Sequence, residues 1–297
     1  MKNHSLIQGS IAKGLLFFVI PLFFSNLFQQ LYNTIDTLLV GHYLGDNALA
    51  AMGATAAVFE LIVQFSNGCG TGFSIVTARY YGSKDETELK KSVATSLVLG
   101  LIISLIITIV SYLSLPTLLR VLHTPKSIYT DSLNYIRCIS AFLIITMFYN
   151  LGAGMLRAIG DSLRPLIVLF CSSIINIALD IFCITILDMG VLGAAVATVV
   201  AQGISTIICF LLILKKAKIL IPHKEHFHIK SYMVSDLLGQ GFSMGFMFSI
   251  VSIGTIILQS GINGLGTQII AAHKTDFIIL PASFYFGSVY GNLCFSK

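Results

Sequence analysis

Apolar residues run along this chain in blocks of 20 or more, separated by short polar breaks rather than alternating with polar residues. Blocks of this length predict membrane-crossing helices and argue against a barrel, whose strands alternate every second residue. The breaks divide the chain into eight predicted helices near residues 14–41, 47–79, 89–119, 128–156, 164–187, 191–214, 234–260 and 265–293. Turn chemistry marks the boundaries: Gly45-Asp46-Asn47, Gly82-Ser83-Lys84-Asp85, Gly160-Asp161-Ser162, Asp188-Met189-Gly190 and Gly264-Leu265-Gly266. Several helices exceed the roughly 20 residues that cross a bilayer, so tilt or extension beyond the lipid is expected. The fold class is therefore all-α, a polytopic membrane bundle.

Composition strengthens this reading. Of 297 residues, 56% are hydrophobic and 10% charged, whereas a soluble domain carries about a quarter charged residues. The net charge of +5 then concerns membrane topology, not nucleic acid. The six cysteines lie in apolar stretches without CxxC or Cys/His pairing, so neither a zinc site nor a disulfide framework is indicated. No nucleophile with a base, no metal-ligand cluster and no cofactor loop is evident, which disfavours an enzyme. Gly68 to Gly72 is not a phosphate loop, because no strand precedes it and no Gly-Lys-Ser/Thr follows. The first apolar run continues through Pro21 without a cleavage pattern, so it is expected to stay as a helix.

Counting Lys and Arg on alternate sides gives the orientation. One side carries fourteen, among them Lys84, Lys90, Lys91, Lys215, Lys216 and Lys218, and the other carries Arg120 and Lys126. The positive-inside rule places the basic side, and with it the N-terminus, in the cytoplasm of a cell-membrane protein. The connection from 215 to 230 holds five lysines and three histidines. It reads as a solvated basic linker beside anionic lipid in preference to a metal tract.

Ionisable groups at bilayer depth cost several kcal/mol and face a bundle interior or a cavity. Asp36, Glu60 and Asp180 are in that position. Asp36 lies five residues before the outer end of the first predicted helix, and Asp180 seven before that of the fifth. Asn176 shares the helix face of Asp180 one turn earlier, and Thr198 lies seven residues into the sixth helix from the same side. Carboxylate, amide and hydroxyl oxygens at one depth suit Na+ or H+. The competing reading is that each acid only hydrogen-bonds a neighbouring helix. Glu60 and Gln64, one turn apart, and Gln202 are further cavity candidates; Glu60 alternatively pairs with Arg137 or Lys274. Small-residue clusters at Gly68–Gly72, Gly152–Gly154 and Gly193–Ala195 read as close helix packing. Pro21 predicts a kink in the helix that carries Asp36.

Residues 34–51 align without gaps to 255–272, with six of eighteen positions identical at an offset of 221. Transporters are commonly built from such repeats. The alignment makes the seventh and eighth helices the start of a second six-helix half, and pairs Asp36 with Ile257.

In this setting the sequence resembles the MATE family, the multidrug and toxic compound extrusion transporters, in its DinF-like bacterial branch. The resemblance rests on PLFFSNLFQQLYNTIDTLLVGHYLGDNALAA, ARYYGSKD, RAIGDSLRP, INIALD and GAAVATVVAQ in this order and spacing. It implies a two-lobe bundle of twelve helices around a central cavity, exporting organic cations or other amphipathic compounds by alternating access driven by Na+ or H+. It also implies a coupling site of Asp36, Asn176, Asp180 and Thr198, the residues that depth and helix face select. The stretch from Phe246 to Ser252 lacks the Glu of the NorM-like branch. Against a twelve-helix family, 297 residues are expected to hold a six-helix lobe (1–218), a basic linker (219–233) and two helices of the second lobe (234–297). A premature stop, a frameshift or an incomplete gene is the simplest account, and Lys274 and Asp276 depart from the family's uncharged pattern. The alternatives are a flippase of lipid-linked saccharides or peptidoglycan precursors, and a non-transporting remnant.

Overall fold

The computed structural model describes residues 11–271. Among them lie eight α-helices and no strand: α1 (Ile11–Leu44), α2 (Asp46–Gly82), α3 (Glu86–Val121), α4 (Tyr129–Ala141), α5 (Leu143–Ala158), α6 (Leu163–Ile181), α7 (Val191–Lys216) and α8 (Ser231–Asn263). A π-helical turn, Phe182–Ile186, extends α6, and two short 3-10 turns lie between α7 and α8. α2, α3, α6 with its extension, α7 and α8 are each long and apolar enough to cross a membrane, and the bent pair α4 and α5 makes a sixth crossing. α1, with 34 residues, is about 51 Å long at 1.5 Å per residue. Ile106, Ile109, Leu113, Ile174 and Ile207 are all exposed, the surface a bundle turns toward lipid.

The polar breaks coincide with helix ends. Asp85 caps α3, its side chain accepting from Glu88 N–H at 3.0 Å, and Asp161 accepts from Arg164 N–H at 3.2 Å at the start of α6. Two expectations need correction. The fourth predicted helix, 128–156, is two helices bent by 47°. The bend comes from a tightened turn at Phe142, where Phe142 N–H reaches Ile139 O at 3.2 Å and Ile145 N–H reaches Phe142 O at 2.9 Å. The fifth, 164–187, is α-helical only to Ile181 and then widens into the π turn. The eighth, 265–293, lies largely outside the described residues, as do Lys274 and Asp276.

α2 runs through the middle of the bundle, packed on α8, α5, α3 and α4. Toward the basic end the core contains Phe73, Leu89, Leu156, Leu220 and Leu237; toward the other end it contains Val40, Val58, Leu119, Ile136 and Ile184. α2 and α8 cross backbone to backbone. A Cβ on Gly72 would lie 2.4 Å from Gln240 O, and one on Gly68 2.5 Å from Met244 O. On α8, a Cβ on Gly241 would meet Phe73 at 2.5 Å. The other small-residue clusters are close approaches too: Gly154 faces Ser74 at 3.0 Å and Gly193 faces Cys183 at 3.2 Å.

The internal repeat has a structural counterpart. Gly45 and Gly266, 221 residues apart, both have positive φ, 77° and 99°, a conformation open to glycine without strain. In both turns the glycine carbonyl accepts the N–H four residues on, Leu49 in one and Ile270 in the other, each at 3.2 Å.

Candidate cation site

α6 packs between α1 and α7. The hairpin from α6 to α7 turns on Asp188 and Gly190, with φ of 50° and 58°, so α7 folds back along α6. Around Thr198 the buried positions of α7 are small, Gly193, Ala194, Ala195, Ala197 and Ala201, and this lets Thr198 come within reach of α6. Directly after Asp180 the helix widens into the π turn, a feature found frequently at functional sites.

The four expected residues meet. Asn176 and Asp180 are completely buried, and Asp36 and Thr198 are each 8% exposed. With its amide oriented to satisfy both ends, Asn176 Nδ2 donates to Asp180 Oδ2 at 2.8 Å, and its oxygen accepts from Thr198 N–H at 3.2 Å. The Asp36 and Asp180 carboxyl groups lie within hydrogen-bonding reach of each other. Ionised carboxylates only accept hydrogen bonds, so two of them in contact require a proton or a cation between their oxygens. Oxygen donors from two carboxylates, an amide and a hydroxyl fit a hard monovalent cation or a proton rather than a thiophilic metal. Among the described residues, no group of three or more His, Cys, Asp and Glu gathers to form a competing metal centre.

The MatE family model matches residues 21–182, which include Asp36, Asn176 and Asp180. The chain belongs to the MatE family. It is similar to the "Probable multidrug resistance protein YoeA" of Bacillus subtilis (strain 168), with 30% identity over 294 residues, covering 93% of this chain and 62% of that protein. Among solved structures, it resembles an inward-facing multidrug resistance MATE family transporter of the MOP superfamily: TM-score 0.78, 29% identity, over 84% of this chain and 57% of that one. The outward-facing form gives a TM-score of 0.79 at 28% identity, over 86% and 56%. The chain thus spans less than two thirds of these MatE relatives.

Two tyrosines complete the site in this MatE chain. Tyr32 Oη donates to Thr198 Oγ1 at 3.3 Å. It stands one turn before Asp36, so the spacing YNTID already carried that signal. Tyr135 of α4 is buried close enough to feel the charges of Asp36 and Asp180; only the tertiary structure reveals it. The remaining candidates engage elsewhere. Gln64 accepts from Asn67 at 3.1 Å, and Asn67 in turn accepts from Asn150, which ties α2 to α5. Gln202 accepts from Thr146 Oγ1 at 2.6 Å, joining α7 to α5. Glu60 is partly buried on α2, while the Arg137 guanidinium stacks on Tyr112, 5.2 Å from the ring centre.

Proposed function

We propose that this chain forms the coupling lobe of a cation-driven antiporter that exports amphipathic or cationic small molecules across the cell membrane. Residues 1–218 make the lobe, 219–233 a cytoplasmic linker and 234–297 the start of a second lobe. The N-terminus is cytoplasmic, by the excess of Lys and Arg on that face. The observation that carries the reading is the contact between the Asp36 and Asp180 carboxyls, buttressed by Asn176.

A bound Na+ or H+ would neutralise the acid pair. Asp36 and Asp180 would hold it, while Asn176 fixes the Asp180 carboxylate and Thr198 and Tyr32 close the side toward α7. When the site empties, two buried like charges at close range repel, which drives α1 away from α6. α1 has a weak point for this motion: Pro21 supplies no N–H, and Ser25 Oγ bonds back to Pro21 O at 2.9 Å, a pattern that bends helices. Acids rather than a basic cluster in this pocket favour drug or organic-cation export over transfer of lipid-linked saccharides.

The test is ethidium or norfloxacin efflux from cells making this chain, beside cells making it extended by a relative's C-terminal segment. The extended protein is expected to export in a Na+- or H+-dependent manner and to lose that dependence with Asp36→Asn or Asp180→Asn. Cation-dependent export unaffected by both substitutions would refute the coupling site.

A further inference from the structure

Away from the acid pocket, an apolar groove of about 650 Å³ opens between α3, α5 and α7, lined by Leu97, Ile145, Phe148, Ile207, Phe210 and Leu211 among others. Its volume is in the range that holds a small molecule. The lining from Thr206 to Leu214 covers about 12 Å of α7 at 1.5 Å per residue, and it lies in the half of the bundle next to the basic face. Ile207, Leu211 and Leu214 are exposed, whereas Phe148 and Phe210 lean together at the floor with ring centres 6.2 Å apart. The one hydroxyl in the lining, Thr206 Oγ1, is bonded to Gln202 O at 2.8 Å and Ile145 O at 3.2 Å. The groove therefore offers a ligand contact with hydrocarbon and no polar recognition.

Charge is supplied immediately beyond it. α7 ends at Lys215 and Lys216, one and two residues past the lining residue Leu214. Both lysines are exposed, and among the described residues neither forms an ion pair. Lys215 follows Leu211 by four residues, which puts it on the groove's edge. Lys90, toward the basic end of α3, is held by Glu86 at 2.7 Å, whereas Lys215 and Lys216 have no carboxylate partner of this kind among the described residues. An acyl-shaped trough that ends in uncompensated lysines at headgroup level matches one kind of occupant, since basic pockets between helices hold anionic headgroups.

We propose that this groove is a binding site for an anionic phospholipid of the basic-side leaflet. One acyl chain lies along Phe148, Phe210 and Leu211, and the phosphate meets Lys215 at the groove's edge, with Lys216 adding positive charge at the same headgroup level.

The sequence contains no tryptophan, so a Leu211→Trp variant of the full chain carries a single reporter inside the groove. Reconstituted in phosphatidylcholine vesicles, its fluorescence is quenched by dibrominated phosphatidylglycerol or by dibrominated phosphatidylcholine at equal mole fraction. Phosphatidylglycerol is expected to compete better by several-fold, up to roughly fivefold for each lysine. Adding Lys215→Gln and Lys216→Gln is expected to bring the ratio to one. An Ile106→Trp reporter, nine residues from Leu97 and so on the opposite face of α3, should show no preference. Equal quenching by the two lipids at position 211 overturns the site. So does a preference that survives the loss of both lysines, or one that is equally strong at position 106.

Discussion

Gly72→Ala and Gly239→Ala make the same chemical change on two helices that face each other, and the structure gives them opposite signs. An alanine in a helix interior is about 0.5–1 kcal/mol better than glycine. At Gly239 the new methyl meets nothing within 4 Å, so that gain is expected in full. At Gly72 the methyl lies 2.4 Å from Gln240 O, 2.5 Å from Gln240 C and 2.6 Å from Gly241 Cα. These are backbone atoms that cannot rotate away, so α2 and α8 must part by about 1 Å to restore ordinary contact. Overpacking costs about 1–3 kcal/mol, and a clash with three immovable backbone atoms belongs to the upper part of that range, about 2–3 kcal/mol, which less the helix gain leaves a net loss of about 1–2.5 kcal/mol. The expected result is a melting temperature lower by roughly 2–6 °C for Gly72→Ala and higher by roughly 1–3 °C for Gly239→Ala, read by circular dichroism in detergent. Cys69 provides a second readout, because it is completely buried and lies against the same crossing, 3.2 Å from a Cβ placed on Gly245. Maleimide labelling of Cys69, located by mass spectrometry, should be faster in Gly72→Ala than in the parent. If both variants shift the melting temperature in the same direction and Cys69 stays protected, the backbone crossing is not the contact described.

Asn176→Leu removes the donor to Asp180 and the acceptor for Thr198 N–H in a fully buried position, and should cost about 2–4 kcal/mol, seen as a lower melting temperature that added Na+ no longer raises. Tyr32→Phe deletes one partly buried hydroxyl contact of 3.3 Å, so its stability loss should stay within about 0.5–1.5 kcal/mol, while cation affinity, measured by titration, weakens several-fold. Pro21→Ala restores the backbone N–H that α1 lacks at this position; slower cation-driven efflux at unchanged cation affinity is expected, and unchanged efflux would take the kink out of the mechanism.

The helices were legible because a bilayer demands long apolar blocks and the turns between them demand glycine and polar residues; Gly45, Gly160 and Gly190 all carry the positive φ their positions imply. Asp36, Asn176, Asp180 and Thr198 were legible because helix rise converts sequence position into depth, so four residues on three helices could be placed in one layer. Depth says nothing of azimuth, so sequence position alone does not show that Gln64 bonds Asn67 on its own helix or that Gln202 joins α7 to α5 through Thr146. The bend at Phe142 had no proline or glycine to announce it, being made by two hydrogen bonds that span three residues instead of four. The π turn after Asp180 likewise leaves the apolar pattern intact. Gly68 and Gly72 were visible as a packing face, but their partners Gly241 and Gly245 emerge only from the crossing of α2 with α8.

The central claim is that one cation, Na+ or H+, sits between Asp36 and Asp180. Its most direct test is equilibrium binding to the purified protein in nanodiscs: NaCl titrated at constant ionic strength, with thermal stabilisation and proton release followed together. A ligand that binds only the folded protein raises stability in proportion to RT ln(1 + [L]/Kd). Saturable stabilisation by Na+, or by protons that Na+ does not displace, is predicted for the parent chain and should vanish in both Asp36→Asn and Asp180→Asn. Saturable binding that is the same in the parent and in both variants would contradict it.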